Sequence, residues 1–242
     1  MLQRTLLIQI HFVDKPSVSV RGQTLKYFLS EISQIMSKPE IPRKSIYRLS
    51  IYQRCLQKLL ENQLETVSSE ALAKAAGVKS TQLRKDLTYF GQFGTRGLGY
   101  NVKALSSVLN EVLGITSYQP VILVGVGNLG AALLQYGGFH KEGFEISAAF
   151  DIAPNPGRFG PNVKTPILEQ AKMVNFIQTN GVRMAILAVP NQVAQSVVND
   201  MVEAGVQAIL NFSPTVLQVP ENVTVNNVDL ALELENLSYF VR

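Results

Sequence analysis

The sequence predicts a two-part α/β protein, an N-terminal winged-helix domain followed by a Rossmann-type domain built on a parallel sheet. Three observations predict it. A basic stretch reads as helix, glycine-containing turn and helix, followed by a glycine-rich hairpin. Beyond it, aliphatic runs of strand length alternate with helical patterns. The first of those runs leads straight into Gly125-Val126-Gly127-Asn128-Leu129-Gly130, a G-x-G-x-x-G spacing placed between strand and helix.

Taken in order, the chain opens with MLQRTLLIQIHFV, which Gln9, His11 and Asp14 interrupt and no small-residue cleavage pattern follows, so it does not read as a signal peptide. From Ile46 the apolar positions Leu49, Tyr52, Leu56, Leu59 and Leu60 recur at three- and four-residue steps, an amphipathic helix. Ser68 or Ser69 caps a second helix through Ala76, and Gly77 is placed to end it. Ser80 then caps a third helix from Thr81 to about Phe90. Gly91, Gly94, Gly97 and Gly99, flanked by aromatics, predict a hairpin whose tip is free to approach a phosphate backbone or groove. Residues 104–114 read as a helix ending at Gly114, with a linker over Thr116–Pro120.

In the second part, Pro120–Val124, Glu145–Phe150, Met184–Val189 and Ala208–Asn211 have the length and β-branching of buried strands, and Val223–Val225 adds a short one. Helical patterns fall at Leu129–Gly137, Pro166–Thr179 and Gln192–Ala204. This alternation implies a parallel sheet covered on both faces. The tail, Val228 to Val241, is helix-like and too apolar to stand alone in water. The expected units are therefore an extension of unknown role (1–38), a winged-helix domain (39–115), a Rossmann domain (116–226) and a terminal helix (227–242).

Composition narrows the class. With 46% hydrophobic and 17% charged residues over 242 positions, the chain has the material for a core and is no disordered tail. One cysteine, Cys55, excludes a disulfide scaffold and a multi-cysteine metal site, and its place on an apolar helix face points to burial. No apolar stretch reaches the roughly 18–20 residues of a membrane span. A cytoplasmic protein without membrane or metal partners is expected. The net charge of +4 hides a division: residues 40–103 hold 11 Lys and Arg against 5 Asp and Glu, whereas residues 104–242 hold 6 against 11. A basic block joined to an acidic one is expected where one domain meets a polyanion.

The glycine motif has a physical reading at each position. Gly125 permits the tight turn, Gly127 lets a pyrophosphate approach the backbone, and Gly130 lets helix and strand pack closely. The helix start then offers free N–H groups and a positive dipole end to phosphates. Asp151 follows Gly130 by 21 residues at the end of the second strand, where a carboxylate accepts hydrogen bonds from adenosine ribose hydroxyls. It disfavours the 2′-phosphate of NADP, although Arg158 nearby leaves that choice open. A nucleotide-free or CoA-binding variant of the fold is the alternative. Catalytic groups are scarce: two histidines, His11 and His140, and no tyrosine followed by lysine four positions on. That scarcity favours a sensor over an enzyme, the rival being an NAD-dependent oxidoreductase with a basic appendage.

Several runs carry a family resemblance. Val67-Ser68-Ser69-Glu70, Gln82 to Gly91 (QLRKDLTYFG), Phe93 to Tyr100 (FGTRGLGY), the glycine motif, Tyr136-Gly137-Gly138-Phe139, Ala188-Val189-Pro190, Leu210 to Pro214 and Val228-Asp229-Leu230 resemble the redox-sensing transcriptional repressors of the Rex family, from about Pro39 onward. The resemblance implies a homodimer that binds palindromic operator DNA when NADH is low and releases it when NADH binds. It also implies that the terminal helix is swapped between subunits. Ser80, Gln82, Arg84, Lys85 and Tyr89 would belong to the recognition helix and Arg96 to the wing tip in the minor groove. NADH or NAD⁺ would lie on Gly125, Val126, Gly127, Asn128, Leu129, Gly130, Asp151, Val189 and Pro190, with Tyr136 near the nicotinamide. Arg54 and Asp229 match a pair linking the DNA domain to the nicotinamide pocket, and Leu230 stands where some members carry an aromatic. Blander readings remain beside these: a solvated face for Arg84 and Lys85, core packing for Tyr136, a structural ion pair or none for Arg54 and Asp229, and a plain turn for Asn211–Pro214. Residues 1–38 fall outside the family pattern. They are either a lineage-specific extension or precede a start at Met36, the second being the expectation.

Overall fold

The computed structural model describes residues 41–241 apart from 92, 96, 97 and 160–162, so the leader with Met36 and the wing-tip Arg96 lie outside the described residues. Helix α1 (Arg43–Glu61) begins three residues before the predicted Ile46 because Pro42, with φ already near −60°, holds its cap position. Strand β1 (Thr66–Val67) leads to α2 (Ser69–Ala75), which Ser68 caps by accepting the Ala71 N–H. Gly77 closes α2 at φ +68. Helix α3 (Ser80–Thr88) corrects one expectation: extended Lys79 holds the cap position with no side-chain bond, and Ser80 is the first helical residue. The helix also stops two residues short of Phe90.

Strands β2 (Gly94–Thr95) and β3 (Gly99–Asn101) form the predicted hairpin, and β1 joins it in a three-stranded antiparallel sheet of order β1-β3-β2. Gly99 is required there, since it sits at φ +78 and a Cβ on it would strike the Val67 carbonyl. Asn101 caps α4 (Val102–Leu113), two residues earlier than predicted, by accepting the Ala104 N–H. Leu49, Tyr52 and Leu56 of α1 pack with Leu72, Leu83, Leu105 and Leu109 into one buried core. Cys55 is half-buried against this core, and burial pushes its thiol up, away from the reactive thiolate.

The second part is a six-stranded parallel sheet. In chain order it runs β4 (Gln119–Val124), α5 (Asn128–Leu134), α6 (Gly138–Lys141), β5 (Phe144–Asp151), β6 (Ile167–Glu169) and α7 (Met173–Asn180). It continues through β7 (Met184–Leu187), α8 (Asn191–Ala204), β8 (Ala208–Asn211), β9 (Thr224–Asn227) and α9 (Leu230–Ser238). The order β6-β5-β4-β7-β8-β9 is the 3-2-1-4-5-6 arrangement of a Rossmann sheet, with the reversal between β4 and β7. Two predicted helices are corrected. Ile167–Glu169 is an edge strand paired with Ala149–Asp151, and the helix starts only at Met173. The predicted Leu129–Gly137 helix ends at Leu134, leaving Tyr136 in a connection rather than on a helix.

Helices α7 and α8 seal one face around Ile122, Val124, Phe150, Ile177, Leu187 and Val197. The other face is covered over β4 and β5 by α5 and α6, through Leu133, Leu134 and Phe139. Over β7, β8 and β9 it instead lines a cavity of about 720 Å³. Covering on both faces is thus only half met within one chain. Among the described residues helix α9 finds no cover, and Leu230, Leu232, Leu234 and Leu237 are 52% to 68% exposed.

Candidate functional site

The glycine loop between β4 and α5 is built as its spacing requires. Gly125 sits at φ +92 and a Cβ would strike the Ala188 carbonyl, which fixes the loop against the end of β7. A Cβ on Gly130 would collide with the Gly125 carbonyl oxygen, so the helix can approach the turn only with glycine there. Gly127, by contrast, faces open space. Asp151, at the end of β5, is braced to this loop: Oδ2 accepts the Val126 N–H at 2.7 Å and Oδ1 accepts the Ala153 N–H at 3.0 Å. Each oxygen retains a lone pair for a further donor. Open space over Gly127, beside an acceptor held by the same loop, fits the phosphates and ribose of a dinucleotide.

Val189 and Pro190 follow β7 on the far side of the loop. Ser213 Oγ donates to the Val189 carbonyl at 2.6 Å, and Pro190 takes the cap position of α8. Asn211 is bonded to its own turn and to the end of β9. Its amide donates to the carbonyls of Ser213 and Thr215 and to Asn227 Oδ1, and its Oδ1 accepts the Ser213 N–H. These bonds tie Asn211 into the Asn211–Pro214 turn. Tyr136 is exposed, edge-on to the Phe139 ring at 5.1 Å, and lines the cavity together with Arg54. Core packing does not describe it. Arg54 and Asp229 are not brought together within one chain: Arg54 Nε lies 3.3 Å from Glu142, and Asp229 caps α9 by accepting the Ala231 and Leu232 N–H groups.

On α3 the predicted contact residues divide. Lys85 is exposed, Ser80 and Tyr89 are half-buried, and Arg84 donates to Ser69 Oγ at 2.9 Å and to Glu70 at 3.2 Å, tying α3 to the start of α2. Gln82 donates its amide inward, to Asp86 at 2.9 Å. Asp86 itself is fully buried and carries no role in the sequence-based reading. Arg48 grips it with two nitrogens at 2.6 and 2.7 Å, and the Tyr52 hydroxyl donates at 2.8 Å. Burial alone would push the Asp86 carboxyl up; the hydrogen bonds from Arg48, Tyr52, Gln82 and Ser45 outweigh it and hold the group below its ordinary range. Burial and the bond to Asp86 push the Tyr52 hydroxyl up. A signal for this anchor was present: Asp86 lies on the stripe of Leu83 and Leu87, and Arg48 on that of Leu49 and Tyr52.

Among the described residues no cluster of His, Cys, Asp or Glu suits a metal ion, and no helix is long and apolar enough to cross a membrane.

Comparison with known proteins bears on both parts. A family profile described as "Putative DNA-binding protein N-terminus" matches residues 40–88, and one described as "CoA binding domain" matches residues 116–215. The redox-sensing transcriptional repressor Rex of Streptomyces coelicolor is 47% identical over 200 residues, covering 82% of this chain and 77% of its own. The crystal structure of RSP with β-NAD⁺ and operator DNA superposes with a TM-score of 0.75 at 38% identity, covering 83% of this chain and 92% of that one. The structure of RSP with β-NADH gives 0.71 at 36% identity, over 84% and 94% of the two chains.

Proposed function

Because the chain belongs to the Rex family of redox-sensing transcriptional repressors, we propose that it binds operator DNA through its winged helix and releases it when NADH occupies the glycine loop. Its activity is regulatory, as the relatives' names say, and not enzymatic. The observation that carries the reading is Asp151 locked onto an open glycine loop in the same chain as an anchored recognition helix. Gly125 to Gly130 give the backbone on which the phosphates lie, Asp151 accepts from the ribose hydroxyls, and Tyr136 stands beside the nicotinamide. The bound cofactor supplies a difference in ring charge and planarity between NADH and NAD⁺; this chain's residues read it. CoA is the second ligand to titrate, since the matching profile is described by that name.

The working unit is a homodimer. Helix α9 exposes its leucines while an apolar sheet face stands open beside Tyr136 and Arg54. The helix of a second copy, seated on that face, buries both, and this apolar gain drives the swap. The cytoplasm, where DNA and the nicotinamide pool meet, is its place of action.

The test is a mobility shift with a palindromic duplex that the protein itself selects from a random pool, with NAD⁺ or NADH added. Release by NADH alone is expected; a complex indifferent to NADH overturns the reading. Lys85→Ala and Arg96→Ala should each weaken that complex about 10-fold or more, the scale of one lost groove or phosphate contact, and each should lower the salt dependence by about one counterion. Unchanged affinity in both variants would remove them from the interface.

Cofactor choice provides a separate check. A carboxylate facing the ribose hydroxyls repels a 2′-phosphate, so NADH should bind far more tightly than NADPH. Asp151→Ala should weaken NADH and narrow the gap. Equal affinities in the unmodified protein would show that Asp151 does not face the ribose.

A further inference from the structure

Arg158 closes the short 3₁₀ turn Pro156–Arg158 that follows β5. Its guanidinium reaches back across the glycine loop: one nitrogen donates to Asn128 Oδ1 at 2.9 Å, and another lies 3.4 Å from the Val126 carbonyl oxygen. The second contact is long, and a stronger acceptor would replace it. Among the described residues no carboxylate lies within ion-pair distance of Arg158, so its charge has no side-chain counterpart. Beside it, the position that a Cβ on Gly127 would take opens onto free space.

A guanidinium has five donors in a planar fork, and that fork matches phosphate oxygens two at a time. Here it reaches over the loop whose backbone is open at Gly127. We propose that Arg158 is a cofactor-binding residue that grips the pyrophosphate of the dinucleotide. A pyrophosphate rather than a 2′-phosphate is indicated by its partners. Arg158 bonds to Asn128 and approaches Val126, in the loop itself, and makes no pair with Asp151 at the ribose end. The assignment rests on the dinucleotide reading of the loop and adds to it a residue outside both the glycine motif and Asp151.

The experiment titrates the full-length protein and its Arg158→Ala and Arg158→Lys variants with NADH, NADPH and ADP-ribose at several salt concentrations. Arg158 is exposed, so the thermal midpoint of the cofactor-free protein should not move. Arg158→Ala should weaken NADH and ADP-ribose about tenfold or more, with NADPH falling in parallel, and should flatten the salt dependence of binding. Lysine keeps the charge without the fork and should recover only part of the loss. A variant that loses NADPH alone marks Arg158 as a 2′-phosphate reader and overturns the proposal. So does NADH affinity equal to that of the unmodified protein, or a loss with unchanged salt dependence. If even the unmodified protein binds no dinucleotide, it is the reading of the loop that fails, and the two failures are distinct.

Discussion

Asp86→Ala is expected to cost the winged-helix domain about 3 kcal/mol or more and to abolish operator binding, because it leaves a partly buried guanidinium without its counter-charge. The Arg48 side chain is 21% exposed and Asp86 is fully buried, so water can restore only part of what the carboxylate supplied. Tyr52 and Gln82 lose their acceptor at the same time. Against the roughly 5–15 kcal/mol that holds a domain folded, this is a large share. The recognition helix then loses the polar bolt that sets its angle to α1. Denaturant unfolding should show a lower midpoint at unchanged slope. An apolar double replacement, Arg48→Met with Asp86→Leu, should recover much of the stability, since it removes both charges together. The acid limb gives a second measure. Asp86 titrates lower in the folded state than in the unfolded chain, so its contribution is fully present above the unfolded carboxyl range and disappears as pH falls through the depressed native value. The Ala variant should lack that part of the acid destabilisation. An unchanged midpoint in Asp86→Ala would show that Leu83 and Leu87 alone hold the helix.

What could be read from the chain follows how local each signal is. Helix α1, Gly77, Gly114, the glycine loop and Asp151 are set by residues near them in sequence, and the structure has them close to where the pattern puts them. Strand β1 spans two residues and takes its existence from pairing with β3, more than 30 positions on, so no alternation could reveal it. Ile167–Glu169 offered a short apolar run that suits strand or helix equally, and only pairing with β5 decides. Tyr136 looked helical because Leu133 and Leu134 precede it, yet the Gly137-Gly138 pair releases the chain after Leu134. Within the site, motif residues were legible as residues but not as partners. The resemblance places Gln82 and Arg84 on the recognition helix, while the structure has both bonded to neighbouring protein groups. Glu142 as the partner of Arg54 belongs to a contact between the two domains and has no sequence signature.

Saturating operator duplex should weaken NADH binding by the same factor by which NADH weakens operator binding, within the roughly 5–150-fold range typical of coupled sites. This reciprocity is a thermodynamic requirement if one equilibrium between two dimer arrangements carries both effects. A ligand moves such an equilibrium only through its differential affinity for the two states. On the proposed reading the loop from Gly125 to Gly130 meets parts that NADH and NAD⁺ share, so discrimination must arise where Tyr136 and Arg54 border the cavity, the face on which a partner's α9 would sit. Asp229 is the residue to alter. Its Oδ1 caps α9, so alanine would remove a helix cap along with the charge. Asp229→Asn keeps a capping oxygen of equal rank and removes only the charge. In that variant NADH and operator should each still bind, with the factor between them falling toward one if Asp229 pairs with Arg54 across the dimer. Coupling that survives intact would leave Arg54 to its in-chain partner Glu142 and place the relay elsewhere. Operator that leaves NADH affinity unchanged in the unmodified protein would dismiss the redox switch itself, even with both ligands bound.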